Sequence, residues 1–310
     1  NQEEGIKVSR ESVRQILLEK GTYVKQRRYP KHRQRREPCS REGQMVQFDT
    51  SDHDWLEGRG PRLYLIGGVD DATGKVAGAQ FVLSDGVKQN MEVFQDIVRR
   101  RGIPLSVYVD CGSNFKTTRH QSMEYQLKGE YPDTQFARAL RELGIRIIYA
   151  HSPQAKGRIE RKFGVFQDRL CSELRLHNIS TLEDTNRYLW EKFIPQHNRM
   201  FSRLAKETGL AYRPSPKGLI LKDIFCLKEE RTVAGDNTIS YHGRAFQILP
   251  NQYRLSYCKA KVKVHEYLDG RINIFYQGKR LRHKPISKEK IKSFPPVIEE
   301  KKDELVNINY

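Results

Sequence analysis

The order of apolar segments between residues 44 and 176 restricts the fold more than any other feature of the sequence. Alternating apolar residues predict three successive strands, over 44–50, 62–69 and 75–83. Helical spacing and further apolar runs then predict a helix over 90–101, a strand over 104–110, a helix over 134–143, a strand over 145–149 and a long helix over 155–176. This β-β-β-α-β-α-β-α order predicts an α/β fold, in which helices cover a mixed five-stranded sheet.

Other patterns flank this central region. Residues 9–20 predict a short helix, which is either an ordinary surface helix or the last helix of a truncated helix-turn-helix module. Residues 22–42 contain two prolines and little periodicity, which predicts an extended basic linker. A further helix is predicted over 181–197. Short strands with turn signals recur after about residue 230 and predict a small all-β domain, either a barrel or a sandwich.

These patterns divide the chain into six segments. They are a helix-turn-helix remnant at 1–24, a basic linker at 25–42, the α/β domain with a helical extension at 43–204, a linker at 205–229, a small β-barrel at 230–295 and a tail at 296–310. Because the first residue is Asn rather than Met, we expect the chain to be a fragment of a longer protein. No signal peptide is recognisable at this end.

Composition excludes several classes of protein. No run of about 18 apolar residues occurs, which argues against a membrane span. The five cysteines are scattered without a CxxC pair, so a structural zinc site or a disulfide framework is not expected, and a reducing compartment fits best.

The charge of the chain is strongly positive, at +18. Residues 20–36 contain eight Lys or Arg and no acidic residue, and residues 253–292 contain twelve basic residues against three acidic ones. A solvated, self-repelling surface is one interpretation, and a polyanionic partner is the other. Because the basic residues concentrate in two segments around a more balanced middle, the distribution favours phosphate contacts by the two ends of the chain.

Three acidic residues in the middle segment are candidate metal ligands. Asp49 and Asp110 each end a predicted strand and lie on the face opposite their apolar neighbours, and Glu160 lies near the start of the long helix. Two carboxylates placed side by side repel unless a cation binds between them. Mg²⁺ or Mn²⁺ prefers oxygen ligands and retains waters for a phosphate. Two such ions, about 4 Å apart, would support in-line phosphoryl displacement.

Each of these residues also has an ordinary structural interpretation. A single aspartate at the end of a strand is more often a turn or cap residue, and we interpret five others in this way: Asp52, Asp54, Asp70, Asp71 and Asp133. Basic residues surround Glu160, namely Lys156, Arg158, Arg161 and Lys162. They form either a solvated helix face or a surface that contacts DNA.

Three motifs contain the acidic residues, and together they resemble those of the DDE transposase and retroviral integrase superfamily. They read QFDTS, VYVDCGSNF and HSPQAKGRIERKFGVFQ. The resemblance covers about residues 44–200, and it is closer to bacterial insertion-sequence transposases than to viral integrases, whose zinc module has no counterpart here. It implies a ribonuclease-H-like fold in which Asp49, Asp110 and Glu160 bind metal and catalyse.

The same resemblance implies cofactors and partners. Mg²⁺ or Mn²⁺ is expected, with two ions per active site. Double-stranded DNA, comprising transposon ends and target, is the expected partner, bound by at least a dimer, and an accessory ATPase is left open. The bacterial cytoplasm, at the nucleoid, is the expected location. Besides the four basic residues near Glu160, the expected DNA contacts are Arg27, Arg28, Lys31, Arg33, Arg35, Arg36, Lys261 and Lys263.

One feature of the sequence departs from the family pattern, and another matches it. Forty-nine residues separate Asp110 from Glu160, more than in the commonest members, and the excess is expected in a polar insertion over 116–132. The PQHNRMFSR segment resembles an N-x-x-R segment that often follows the helix with the catalytic glutamate in enzymes of this superfamily. We expect its His197, Asn198 and Arg199 to support structure or contact DNA rather than catalyse.

These observations favour a transposase that cleaves transposon ends and joins them to target DNA. A metal-dependent nuclease of the same fold, which would cut without joining, is the first alternative. A catalytically inactive DNA-binding or scaffolding protein is the second, and the presence of all three acidic residues argues against it.

Overall fold

The computed structural model describes residues 9–21, 36–117, 132–150, 157–252 and 254–286. Residues 1–37 form one unit and 38–310 another. In the first unit, helix α1 (Arg10–Glu19) begins at its predicted N-cap, because the Ser9 hydroxyl accepts the Ser12 N–H, and Gly21 with φ of 65° follows its end. The assignment of this helix to a helix-turn-helix module stays a prediction.

The central sheet has the predicted five strands, β1 (Met45–His53), β2 (Leu63–Asp70), β3 (Val76–Val82), β4 (Ser106–Val109) and β5 (Arg146–Tyr149). Their order is β3-β2-β1-β4-β5. Strands β1, β2 and β3 form an antiparallel meander, whereas β4 runs parallel to both β1 and β5. This mixed topology is that of the ribonuclease-H-like fold, and it confirms the predicted fold class.

Helices cover both faces of the sheet. Helix α2 (Val87–Arg101) and helix α3 (Gln135–Glu142) pack on one face, where Phe48 contacts Phe94 and Phe136 in a buried aromatic cluster. The other face is covered by α4 (Gly157–Leu176), α5 (Leu182–Tyr188), a π-helical turn (Leu189–Phe193) and α6 (Ile194–Phe201). The long helix and the helix after Thr181 are therefore confirmed, and the π-helical turn was not predicted.

Two consecutive glycines in β2 allow helices to approach the sheet closely from both sides. A Cβ at Gly68 would lie 2.7 Å from Cδ1 of Ile97 in α2, so a side chain there would collide with the helix. On the opposite face, a Cβ at Gly67 would contact the Phe163 ring of α4 at 3.6 Å. The absence of side chains at these positions sets the distance at which α2 can pack, and Gly67 accommodates α4.

Two asparagines occupy the outer edge of β3. The Asn198 side chain accepts the N–H of Val76 at 2.8 Å and donates to its carbonyl at 3.2 Å. Asn186 makes the same pair of bonds to Phe81, at 2.8 and 3.0 Å. These amides satisfy backbone groups that an edge strand otherwise exposes to other chains. The predicted structural role of Asn198 therefore has a physical basis.

Residues 202–224 connect the central sheet to the C-terminal region. They are packed against the domain that contains the central sheet. Leu210 forms a parallel bridge with Glu42, and Arg213 an antiparallel bridge with Ile103. After the short helix α7 (Leu221–Ile224), Phe225 is fully buried in the aromatic cluster around Phe94. The predicted linker thus joins the two parts through specific contacts.

The C-terminal region is the predicted small β-domain, but it is not a closed barrel. Its described strands are β6 (Cys226–Thr232), β7 (Thr238–Tyr241), β8 (Arg244–Ile248), β9 (Lys261–Tyr267), β10 (Ile272–Tyr276), β11 (Lys279–Leu281) and β12 (His283–Ile286). They pair as two antiparallel sheets, β11-β10-β9-β6 and β12-β8-β7, that share one apolar core. Strand β6 begins at Cys226, before the expected boundary at residue 230, and the domain limits stay predictions.

The predictions that concern residues 1–8, 22–35, 118–131, 151–156, 253 and 287–310 lie outside the described residues, and they include most of the predicted insertion and the whole tail. Among the helices that are described, none has both the length and the apolar composition to span a bilayer.

Replacing Asn198 with Ala should remove both hydrogen bonds to Val76 and leave the edge of β3 uncovered at that point. Since such bonds contribute about 1 kcal/mol each, we expect the free energy of unfolding to fall by about 1–2 kcal/mol. Arg199→Ala, at the exposed neighbouring position, is the matched control and should change stability little. Chemical denaturation of the three proteins measures this, and equal stabilities would contradict the role assigned to Asn198.

Candidate active site

Asp49 lies on the face of β1 that α4 covers. Its neighbour Phe48 is fully buried on the other face, in the cluster around α2 and α3. Gln47 and Ser51, which alternate with Asp49 on its own face, are both buried and both contact α4. Asp49 itself is half-buried, and one carboxylate oxygen accepts the N–H of Thr50 at 3.0 Å.

Parallel pairing with β4 brings Asp110 beside Asp49. The register pairs Met45 with Ser106, Val46 with Val107 and Gln47 with Tyr108. Continued by two residues, this register sets Asp110 opposite Asp49, at the point where β4 has just ended. Adjacent strands are roughly 4.8 Å apart, and laterally paired residues point to the same face. Continued in this way, the register predicts that the two carboxylates occupy neighbouring positions on the face that α4 covers.

The loop after β4 folds back over Asp110. The N–H of Gly112 donates to Asp110 Oδ1 at 2.8 Å. A Cβ at residue 112 would lie 2.8 Å from the same oxygen, closer than real Cβ contacts allow. Phe115, three residues further along, is buried in the core and anchors this loop. The glycine in the VYVDCGSNF motif is thus required for the Asp110 side chain to keep its orientation.

Helix α4 runs along β1 and carries Glu160 over the same face. The Gln47 side chain accepts the N–H of Ile159 at 3.2 Å, and the Gln167 side chain donates to Ser51 Oγ at 3.1 Å. Between these contacts, the Phe163 ring lies over Gly67, which is the β2 residue paired with Asp49. Glu160 is one helical turn before Phe163, and its side chain is exposed.

The three acids have different relations to one another. Asp49 and Asp110 are brought together by strand register, whereas Glu160 is placed by the helix that packs over them. Among the described residues, no group of three or more His, Cys, Asp or Glu side chains forms a metal site. The donor set still suits a hard cation, because Asp49 and Asp110 at adjacent positions repel unless a positive charge is bound between them.

The basic residues that are predicted DNA contacts, and that the structure describes, have different surroundings. Arg36 and Arg161 are exposed, and Lys261 is exposed but ion-paired with Glu230 at 3.0 Å. Lys263 is exposed and lines a groove beside β9 with His265 and Phe275, whose rings are 4.3 Å apart. These four remain predictions as DNA contacts.

Arg158 and Lys162 are held by partners within the protein. Arg158 forms an ion pair of 2.5 Å with the buried Asp71. Lys162 lies 3.1 Å from His197 Nε2, and burial, followed by the charge of Arg203, lowers the pKa of Lys162. Their assignment as DNA contacts also stays a prediction. The remaining candidates, which lie outside the described residues, are Arg27, Arg28, Lys31, Arg33, Arg35 and Lys156.

His197 is a buried structural residue, as expected from the sequence. Its ring packs between Phe166, Phe193 and Phe201, with centroid distances of 4.8 to 5.7 Å. Burial, followed by the nearby charges of Lys162 and Arg169, lowers the pKa of His197 to about 4. A neutral ring can accept a hydrogen bond from the Lys162 ammonium group.

Asp71 lies in the turn after β2, as predicted, but it has contacts that the turn position alone did not indicate. It follows β2 as a turn residue would, but its side chain is buried and accepts bonds from Gln47 at 2.6 Å, from Arg158 and from the N–H of Cys39 at 2.8 Å. A turn residue pointing to solvent makes no such contacts. The signal in the sequence was the presence of Gln47 and Arg158 inside the two motifs that also contain Asp49 and Glu160.

The strand order defines a ribonuclease-H-like domain, in which Asp49 lies within β1, rather than at its end as predicted, and Asp110 directly follows β4. Comparison with known sequences agrees with this class. The chain is 34% identical to the candidate transposase y4bF of Sinorhizobium fredii over 305 residues, which cover 96% of this chain and 64% of y4bF. It is 29% identical to the transposase for insertion sequence IS1202 of Streptococcus pneumoniae, over 93% of this chain and 69% of that protein.

The chain is thus similar in sequence to two transposases. It spans slightly less than two thirds of the length of y4bF. No protein-family model matches it.

Among solved structures, the HTLV-2 integrase catalytic core in complex with magnesium is similar, with a TM-score of 0.35 and 18% identity over 48% of this chain and 84% of that one. The simian T-cell lymphotropic virus intasome has a TM-score of 0.41 and 13% identity, over 82% of this chain and 84% of that one. The fold assignment rests on strand order and register.

Lowering the pH should destabilise the protein through His197. An unfolded histidine binds a proton near pH 6.5, whereas the folded residue does so only at about pH 4. Between these values the unfolded state binds more protons, so the free energy of unfolding should fall as the pH is lowered through this window. His197→Phe, which suits the aromatic surroundings, should reduce the slope.

The control is His177→Phe, at an exposed histidine just after α4. It should leave the dependence of stability on pH as in the wild type. Urea denaturation at a series of pH values measures the slopes, and equal slopes for the wild type and His197→Phe would contradict the assignment of a buried neutral ring.

Proposed function

We propose that this chain is a metal-dependent transposase that cuts DNA at transposon ends and joins the resulting 3′-hydroxyl groups to target DNA. The observation that supports this best is the β1–β4 register, because its continuation by two residues would set Asp110 beside Asp49, and the helix that carries Glu160 packs on β1. Sequence similarity to two transposases supports the reaction class, and the predicted positions of the three acids suit a site able to perform it.

Asp49 and Asp110 would hold one Mg²⁺ or Mn²⁺ between them, and Glu160 with one of the aspartates would hold a second ion. When bound, the ions would activate the attacking water or hydroxyl group and stabilise the charge that develops on the leaving oxygen. The contribution of the protein is to fix the ligands. Gly112 orients the Asp110 carboxylate, while Gln47 and Gln167 fix the position of α4 along β1. Glu160 would complete the site as metal and DNA bind.

The surface of α4 near Glu160 leaves space for a DNA strand. A Cβ at Gly164, one turn after Glu160, would meet no atom of the protein within 4 Å. A glycine in the interior of a helix costs about 1 kcal/mol relative to alanine, so its presence without a packing reason is unusual. Close approach of a phosphate to the helix backbone would account for it. Arg161, exposed beside Glu160, is suited to contact that phosphate.

The C-terminal sheet provides a second surface for DNA. Lys261 and Lys263 project from β9 beside a groove that His265 and Phe275 also line. Two basic side chains on one strand beside this groove suit contacts with a nucleic acid backbone. The +18 charge of the chain predicts that affinity for double-stranded DNA falls steeply as salt concentration rises. We further propose that the protein acts as at least a dimer on two DNA ends, with an accessory ATPase left open.

Replacing Asp110 with Asn should abolish joining of labelled end DNA to a target plasmid in the presence of Mg²⁺. Loss of groups that merely support a metal ligand costs about 10- to 100-fold, so loss of a ligand should exceed about 100-fold. Asp52→Asn is the matched control, because this exposed aspartate on the same part of the chain pairs with Arg62 and lies three residues beyond Asp49. It should retain joining activity.

The outcomes of this assay separate the candidate functions. Mg²⁺-dependent joining that is lost only in Asp110→Asn supports the transposase. Cutting without joining by the wild-type protein would instead indicate a nuclease of the same fold. DNA binding without any metal-dependent chemistry would indicate an inactive binding protein, and either result would contradict the proposal.

Replacing Gly112 with Ala should impair the same reaction without removing a ligand. The new methyl group would displace the Asp110 carboxylate, because its carbon would lie 2.8 Å from Oδ1. We expect a loss of about 10- to 100-fold in joining rate, partly restored at higher metal concentration. Gly235→Ala, in the turn between β6 and β7 where a Cβ meets no described atom within 4 Å, is the control and should retain joining activity. Unchanged activity at every metal concentration in Gly112→Ala would contradict this role of the loop.

A further inference from the structure

Asp71 connects three separate parts of the chain through one buried carboxylate. Its side chain is fully buried. Oδ1 accepts bonds from Gln47 Nε2 at 2.6 Å and from Arg158 Nη1 at 2.5 Å, and Oδ2 accepts the N–H of Cys39 at 2.8 Å. A buried carboxylate is tolerated only when such donors and an opposite charge replace its hydration. These contacts therefore form one unit whose members depend on Asp71.

Two of these contacts hold the start of the helix that carries Glu160, one directly through Arg158 and the other through Gln47. Arg158 and Ile159 immediately precede Glu160, and both are fixed. The Arg158 guanidinium binds Asp71, and the N–H of Ile159 donates to Gln47 Oε1 at 3.2 Å. This N–H belongs to the first turn of α4, where backbone donors have no partner within the helix. By holding Gln47 Nε2, Asp71 turns the amide oxygen of Gln47 towards that donor.

The same contacts also involve the strand that carries Asp49. Gln47 lies two residues before Asp49 and on the same face of β1. It bonds to Asp71 on one side and to the first turn of α4 on the other. Gln47 joins the strand to the helix. It therefore fixes the position of Glu160 along β1 and relative to Asp49.

We propose that Asp71 is a positioning residue for the metal site. It touches neither metal nor DNA, but it places Glu160 relative to Asp49 by fixing Arg158 and Gln47. This inference rests on the proposed function, because it assumes that Glu160 is a metal ligand. It predicts that loss of the Asp71 charge loosens the start of α4 and weakens metal binding, while Asp49, Asp110 and Glu160 all remain present.

The adjacent Asp70 is a matched control. It is as buried as Asp71, and its carboxylate accepts bonds from the N–H of Gly43 and from both the N–H and the hydroxyl of Thr73. These partners belong to the turn after β2 and to the segment before β1, and none belongs to α4. Burial raises the pKa of Asp70. Asp70→Asn thus perturbs a similar buried carboxylate without touching the contacts that lead to Glu160.

The experiment compares Asp71→Asn and Asp70→Asn in the full chain with two readouts. Calorimetric titration with Mn²⁺ measures metal affinity, and hydrogen–deuterium exchange of the peptide 157–164 measures the order of the first turns of α4. For Asp71→Asn we expect Mn²⁺ affinity to fall about 10- to 100-fold and exchange of this peptide to accelerate. For Asp70→Asn we expect wild-type values of both, even if the protein is less stable.

Unchanged exchange and unchanged Mn²⁺ affinity in Asp71→Asn would overturn the inference, and so would equal losses in both variants, which would indicate general destabilisation. If Asp71→Asn does not fold, Arg158→Gln tests the same connection from its partly exposed side and should give the same two changes. A wild-type protein that binds no Mn²⁺ would contradict the proposed function instead, and the exchange comparison would still decide whether Asp71 holds the start of α4.

Discussion

Strands β1 and β4 run parallel with Met45 opposite Ser106, and the geometry of the candidate site follows from that register. It carries forward to Asp49 and Asp110, so two residues that are far apart in sequence become lateral neighbours. A shift of one residue would turn one carboxylate into the apolar core, because side chains alternate between the faces of a strand. The register is held from the other face, where Phe48, Val107 and Val109 are buried in one cluster.

Residues at different positions on the polar face of the sheet have different roles. The fold alone does not require this arrangement. Near its start, Gln47 and Asp71 bind the first turn of α4, and further along Asp49 and Asp110 form the acidic pair. Gly67 accommodates Phe163 beside this pair. Phe225, buried in the cluster around Phe94, fixes the point from which the C-terminal sheets begin, and Arg138 binds the carbonyl of Ile224 next to it. The basic groove beside β9 is thereby attached to the domain that carries the acids.

The sequence predicted most of the central domain, because its strands alternate regularly and its helices have clear apolar stripes. It also predicted which faces Asp49 and Asp110 occupy. Strands β6, β11 and β12 were missed, since β6 reads as a charged segment and the other two are three or four residues long. The sequence did not indicate that the described strands form two sheets rather than a closed barrel, because pairing between distant short strands has no local signal. The role of Asp71 was missed for the same reason: its partners are 24 and 87 residues away.

The central claim is that Asp49 and Asp110 share a divalent cation. It is tested most directly by a crystal structure of the protein with Mn²⁺ and end DNA, using the anomalous signal of the metal. The account predicts an ion between the two carboxylates, with Glu160 close enough to bind an ion at the same site. Carboxylates more than about 8 Å apart with DNA bound, and no metal between them, would contradict it, because oxygen–metal distances could not span that gap.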